Sequence, residues 1–193
     1  TSSGTTALHS ALAAAGVGVG DDVIVPAYTF FSTATSVLMQ NAVPIFADID
    51  TTTLGLDPAS VEERITQRTR AMMVVHMHGY PVDLDGLMAV AEKYGLVVIE
   101  DCAHAHGATH RGRQVGTVGH MGVFSFHQKK NLSLGEGGML ITNDDRLAEQ
   151  ARGIHSFGKV PLAYNYRMPE LHAAIGSVRL KRLDAENETR NRY

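Results

Sequence analysis

The sequence predicts an α/β fold of three layers, αβα, built on a mostly parallel sheet. Three observations carry that prediction. Short apolar runs alternate with amphipathic helical runs, glycine and proline gather between the runs, and polar, chemistry-bearing residues recur just after the apolar ones. Ligands of such sheets collect outside the carboxyl ends of the strands, so the third observation also says where a site should lie.

The first element is a helix over 6–15, entered through the small hydroxyls of Thr1 to Thr5 and stopped by Gly16. After the glycine-rich stretch 16–20 come a strand at 23–25, a helix at 31–40, a strand at 44–47 and a helix at 60–66. A strand at 71–76 leads to a helix at 84–94, which Gly95 ends where a C-cap glycine belongs. Strands at 96–100, 122–126 and 139–142 follow, with helices at 145–155 and 169–183 closing the pattern.

At 193 residues the chain is long enough for one sizeable core, and 44% apolar to 19% charged residues is an ordinary globular balance. The net charge is -3 and Lys and Arg form no run longer than a pair, which excludes the electrostatic footprint of a nucleic-acid or anionic-membrane binder. Cys102 is the only cysteine, so no intramolecular disulfide framework exists and a reducing, cytoplasmic setting is expected. No apolar stretch approaches the roughly 20 residues that span a bilayer. The chain enters a helix almost at once, and a long charged helical pattern over 171–192 runs out at Tyr193 without a stop signal. Residues 1–193 are therefore expected to be one domain, cut from a longer protein.

Three segments carry the chemistry. Ser3-Gly4-Thr5-Thr6 sets a glycine and hydroxyls at a helix mouth, where backbone N–H groups and the helix dipole favour a phosphate; ordinary capping is the competing reading. Glu100 and Asp101 end a buried strand and are followed by His104 and His106. That arrangement suits either metal ligation, with His76 and His78 as further candidates, or a carboxylate that keeps a heterocyclic nitrogen protonated. The third segment runs from the strand ending at Phe126 through His127-Gln128-Lys129-Lys130-Asn131-Leu132 to Gly135-Glu136-Gly137-Gly138. A lysine there becomes a nucleophile toward an aldehyde once burial or neighbouring cations lower its pKa.

Taken together, Phe124-Ser125-Phe126-His127, Lys130-Asn131-Leu132 and Gly135-Glu136-Gly137-Gly138 resemble the lysine motif of the DegT/DnrJ/EryC1/StrS aminotransferases. The other motifs occur in that family's order: Ser3-Gly4-Thr5 with Ala7-Leu8, Pro26 with Thr29-Phe30, Glu100-Asp101 with His104 and Gly107, and Asn165-Tyr166-Arg167-Met168 with Glu170. The resemblance covers essentially the whole chain.

It implies the large domain of a fold-type I pyridoxal phosphate (PLP) transferase and a role for each matched position. Lys130 would hold the cofactor as a Schiff base and shuttle the proton, and Asp101 would pair with the pyridinium nitrogen. Phe30 would stack on the ring unless it is ordinary core, and His104 would face the ring. Gly4, Thr5 and Ser125 would hold the phosphate. Asn165 would reach the phosphate of a neighbouring subunit in a homodimer with shared active sites. Lys129 is the rival nucleophile, but the family carries a small residue there and the spacing from Ser125 selects Lys130.

The implied reaction moves an amino group from L-glutamate or L-glutamine to a keto-sugar or keto-cyclitol, with the wording around His127 and 164–167 leaning toward cyclitols. A dehydratase of the same fold has its lysine replaced, typically by histidine, so lysine at 130 favours transamination. A metal-dependent hydrolase on the four histidines and a non-catalytic regulatory protein of the same fold are the remaining readings.

Overall fold

Residues at alternate positions of each central strand face opposite sides of the sheet, and the chain uses both sides. In the computed structural model, which describes residues 1–156 and 162–192, the chain runs α1 (Gly4–Ala14), β1 (Asp22–Pro26), α2 (Ser32–Met39), β2 (Val43–Ala47), α3 (Pro58–Arg64), β3 (Thr69–Val75) and α4 (Leu84–Tyr94). It continues through β4 (Val97–Asp101), β5 (Thr109–His110), β6 (Arg113–Gln114), β7 (Met121–Ser125), β8 (Gly138–Ile141), α5 (Asp145–His155), α6 (Glu170–Leu180) and α7 (Leu183–Arg190).

Six strands form one sheet in the order β2-β1-β3-β4-β7-β8, parallel except that β8 runs antiparallel to β7. The expected three-layer αβα architecture is present. Val23, Val25, Met73, Ile99 and Val123 pack on one face against α1, α2 and α5, through Ala7, Leu8, Ala11, Leu12, Val37, Leu147 and Ile154. Ile24, Met72, Val74 and Val98 pack on the other against Val61 of α3 and Leu84, Leu87, Val90 and Ala91 of α4. Each such Val, Leu, Ile or Met side chain contributes roughly 1.5–3 kcal/mol by leaving water, so the strands that hold the site are held on both faces.

Aspartates cap α3, α4 and α5: Asp57, Asp83 and Asp144 accept from the backbone N–H of Ala59, Gly86 and Leu147. β1 bonds to both β2 and β3, so the strand order reverses beside it, and the crevice outside the carboxyl ends opens there.

Two local expectations are corrected. The helix expected over 169–183 is broken at Lys181 and Arg182 into α6 and α7, and the break turns Leu183 into a third cluster with Phe126, Leu132 and Leu134. The β5–β6 hairpin was not foreseen. Its two turn residues, Arg111 and Gly112, both have positive φ (49° and 79°), the backbone of a tight hairpin turn in a segment with little apolar content.

Candidate active site

The mouth of α1, the end of β7 and the start of β8 are pressed together. Ser3 caps α1 through a reciprocal box: its Oγ accepts from the Thr6 N–H at 3.1 Å and its own N–H donates to Thr6 Oγ1 at 3.0 Å. The capping reading of this segment is thus correct in itself. It does not exhaust the segment, because a first helical turn presents several backbone N–H groups and the box takes one.

A Cβ on Gly4 would lie 2.7 Å from Ser125 Cβ, and one on Gly138 would lie 2.2 Å from the Ser3 carbonyl oxygen. Both positions exclude any side chain. The Thr5 hydroxyl donates to Ser32 Oγ at 2.9 Å and ties α1 to α2.

Asp101 ends β4 with its side chain buried on the α1–α2 side of the sheet. It accepts from the Ala103 N–H at 3.1 Å and from the Thr33 hydroxyl at 3.4 Å. Burial pushes its carboxyl above the ordinary range, and the Ala103 N–H, the Lys130 charge, His76 and Thr33 pull it part of the way back.

Lys130 stands on the loop after β7. Leu132 and Leu134, both buried, hook that loop back into the third cluster, while Lys130 N–H donates to the His127 carbonyl at 2.9 Å and Leu134 N–H to the Phe126 carbonyl at 2.9 Å. The Lys130 amine is half-buried: desolvation lowers its pKa and the Asp101 carboxylate raises it. Lys129 beside it is exposed.

A cavity of about 450 Å³ joins these elements, and Gly4, Thr5, Phe30, Asp101, His104, Ser125 and Lys130 all line it. Seven of the eight residues expected at the site are therefore together. Phe30 is 55% exposed at the rim with its ring 4.3 Å from that of Phe31, which excludes core packing as its explanation.

His104 is pushed down to about 4, first by burial and then by the charge of Lys130 and by His78, so its ring is neutral at ordinary pH. Its Nδ1 accepts from the His78 N–H at 3.5 Å, and the two rings stack at 5.9 Å. His78 holds a left-handed backbone (φ 54°), a strained choice for a residue with a side chain.

Asn165 is the exception. It lies outside the cavity, exposed, bridged to Ser156 and accepting from Arg167 Nε at 3.2 Å. Its neighbours Tyr164 and Tyr166 stack on each other at 4.8 Å, and both pack edge-on against His9.

The four histidines do not converge. His76 donates through Nε2 to Glu100 at 3.0 Å and accepts the Val82 N–H at Nδ1 at 3.4 Å, while the His106 ring packs between Phe124 and Phe126. His76, Glu100 and Cys102 have ligand atoms within 4.8 Å of one another, but both nitrogens of His76 are engaged and Glu100 already accepts four hydrogen bonds.

Sequence reasoning missed Thr33 and Ser32, and it quoted Glu136, which lines the cavity, only as part of a motif. Thr29 and Thr33 are four residues apart and their hydroxyls meet at 2.8 Å, but only the fold brings Thr33 to Asp101.

An α/β domain with a lysine and a buried acid facing one crevice at the reversal of its strand order belongs to the ligand-binding, doubly wound class. The chain belongs to the DegT/DnrJ/EryC1/StrS aminotransferase family, whose profile matches residues 1–193. It is 47% identical to a pleiotropic regulatory protein of Geobacillus stearothermophilus, over 98% of this chain and 53% of that protein. It is 45% identical to the GDP-perosamine synthase of Caulobacter vibrioides, over 98% of this chain and 53% of that enzyme. Among solved structures it superposes on an aminotransferase from Psychrobacter cryohalolentis with a TM-score of 0.91 at 41% identity, covering 94% of this chain and 51% of the other. The chain spans about half the length of the curated relatives it matches.

Proposed function

We propose that the protein is a PLP-dependent aminotransferase that moves an amino group from L-glutamate or L-glutamine to a keto-sugar or keto-cyclitol. The observation that carries this reading is the shared cavity, lined by a half-buried amine at Lys130, a buried carboxyl at Asp101 and a cup of small residues at a helix mouth. The donor set fits the cofactor. Gly4, Thr5 and Ser125 suit a phosphate, Phe30 and His104 suit the faces of a flat ring, and Asp101 suits a cationic ring nitrogen.

When bound, PLP supplies an electron sink that stabilises negative charge at the substrate carbon next to nitrogen. Desolvation leaves Lys130 Nζ more readily neutral than a surface amine, so it can attack a carbonyl and afterwards accept and return a proton. Burial is what raises Asp101, and a cation against its carboxylate would favour its charged form. That pairing would tie ring protonation to the carboxylate that Thr33 and Ala103 orient. Asn165, exposed and outside the cavity, is assigned to the phosphate of a neighbouring subunit, which makes the working unit a homodimer. The first relative is named as a regulator, so a non-catalytic reading is kept beside this one.

One experiment separates them. The absorbance of the full-length protein is recorded with PLP, then after L-glutamine or L-glutamate, then after keto-sugars and keto-cyclitols. The expected result is a cofactor band that the donor bleaches and an acceptor restores. A band that no donor changes would favour the regulator, and deoxy-sugar in place of amine would favour a dehydratase.

A further inference from the structure

Beside the cofactor cleft lies a second, larger cavity of about 770 Å³, bounded by the turn from His78 to Pro81, by residues 103–109, by Lys129 to Asn131 and by the end of α7. The two cavities share Ala103, His104, Lys129 and Lys130, so they meet at the lysine pair. No aspartate or glutamate lines the second cavity, whereas Lys129, Lys130 and Arg190 do.

Arg190 shares its acidic neighbour with a second arginine. Glu186 Oε2 is shared between Arg190 Nη2 at 3.4 Å and Arg179 Nη2 at 3.1 Å, one carboxylate for two guanidinium groups. Arg190 also donates to Asn187 Oδ1 at 3.2 Å and to the Asn131 carbonyl at 3.5 Å, which holds it against the cavity wall. Asn131 and Asn187 in turn donate to the His106 carbonyl at 3.3 and 2.8 Å, joining α7 to the lysine loop and to the segment after β4. The His106 ring, 4% exposed and lining the same cavity, has no hydrogen bond of good geometry at either nitrogen. A concave wall with cations and no acid concentrates positive potential, and a guanidinium matches a planar carboxylate or a phosphate.

We propose that this cavity is the anion subsite for substrate, in which Lys129 and Arg190 bind a carboxylate or phosphate while the reacting carbon lies at Lys130. The proposal rests on the aminotransferase reading and adds what that reading leaves open. The amino donor brings a carboxylate and a nucleotide-linked keto-sugar brings phosphates. A free keto-cyclitol brings no charge and would not use the subsite. Lys129, the rival nucleophile of the sequence, thus becomes a substrate-binding residue.

The test uses the full-length, cofactor-loaded protein and the variants Lys129→Gln, Arg190→Gln and Lys129→Arg. KM and kcat are measured separately for L-glutamate, a nucleotide-linked keto-sugar and an uncharged keto-cyclitol. Loss of one charge-assisted contact at a part-exposed site should raise KM for the anionic substrate about 10-fold, with kcat and the cyclitol KM within about twofold. Lys129→Arg should restore most of the loss. A rise confined to glutamate assigns the subsite to the donor's carboxylate, and one confined to the nucleotide sugar assigns it to phosphate.

Calorimetric titration with inorganic phosphate and with succinate reads the same site without turnover: the parent should bind one of them and the double glutamine variant neither. KM values unchanged for both anionic substrates, or equal loss of kcat with all three, would overturn the proposal. If the parent itself fails to turn over, the aminotransferase reading fails, and the calorimetry still decides whether the cavity takes an anion.

Discussion

Glu100 and Asp101 are neighbours in the chain and opposites in the fold. Strand alternation sends Glu100 to the face away from the candidate active-site cavity, where it accepts from His76 Nε2 at 3.0 Å and from the N–H groups of Gly116, Val118 and Gly119 at 2.7, 2.8 and 2.6 Å. Asp101, on the other face, has only Ala103 and Thr33 and lines an open cavity. The shifts follow. For Glu100 desolvation raises the pKa, but His76 and the backbone amides outweigh it and the carboxyl sits below its ordinary value, whereas Asp101 sits above its own. A carboxylate saturated inside the protein locks the loop that feeds β7, and one left partly unsatisfied has capacity for a ligand. One strand end therefore builds scaffold on one face and chemistry on the other.

The sharpest way to break this comparison is to change the chemical face and look for a structural effect. Lys130→Ala should abolish turnover and the absorbance band of lysine-bound cofactor while moving the unfolding midpoint little, since the side chain is half-buried and carries no structural contact of note. Asp101→Asn should lose roughly 100-fold in kcat with cofactor still bound, the scale of a removed electrostatic contact at a reacting group. Its stability in urea should change by about 1 kcal/mol or less. An unchanged rate would mean that the ring nitrogen is served by another group.

The structural face should answer in the opposite currency. Glu100→Ala leaves three backbone N–H groups and the His76 ring without their acceptor, and about 3–5 kcal/mol of stability should go, read as a shift of urea midpoint at constant slope. Gly138→Ala, whose methyl would meet the Ser3 carbonyl, should cost about 1–3 kcal/mol and weaken cofactor binding at the phosphate cup.

The smallest effect is in pH. Glu100 has a folded-state pKa below its ordinary 4.5, so its contribution is full above that value and fades as pH falls through the folded one. Asp101, raised from 3.8, has the reverse sign: its contribution is full below 3.8 and is lost as pH rises through the folded value. In the cofactor-free protein the stabilities of Glu100→Gln and Asp101→Asn should therefore converge on the parent's during acidification from opposite sides. Convergence from the same side would contradict the assignment.

Much of this arrangement was legible beforehand. The six main strands follow from apolar runs, and the positions of Lys130, Asp101 and Ser125 at carboxyl ends follow from where those runs stop. The cage around Glu100 was not, because its donors come from a loop 16 to 19 residues away and are backbone groups that carry no side-chain signature. Thr33 was missed because it lies 68 residues from Asp101 in the chain, and only the fold brings its hydroxyl there. Asn165 is different again: the role proposed for it rests on the family motif alone, and it does not line the cavity that the other seven share.

Covalent attachment of the cofactor at the Lys130 amine is the central proposal. Loading the full-length protein with PLP, reducing with borohydride and mapping the labelled peptide should place the label on Lys130 and leave Lys129 unmodified. Label on Lys129, or none on either lysine from protein that has bound PLP, would contradict it.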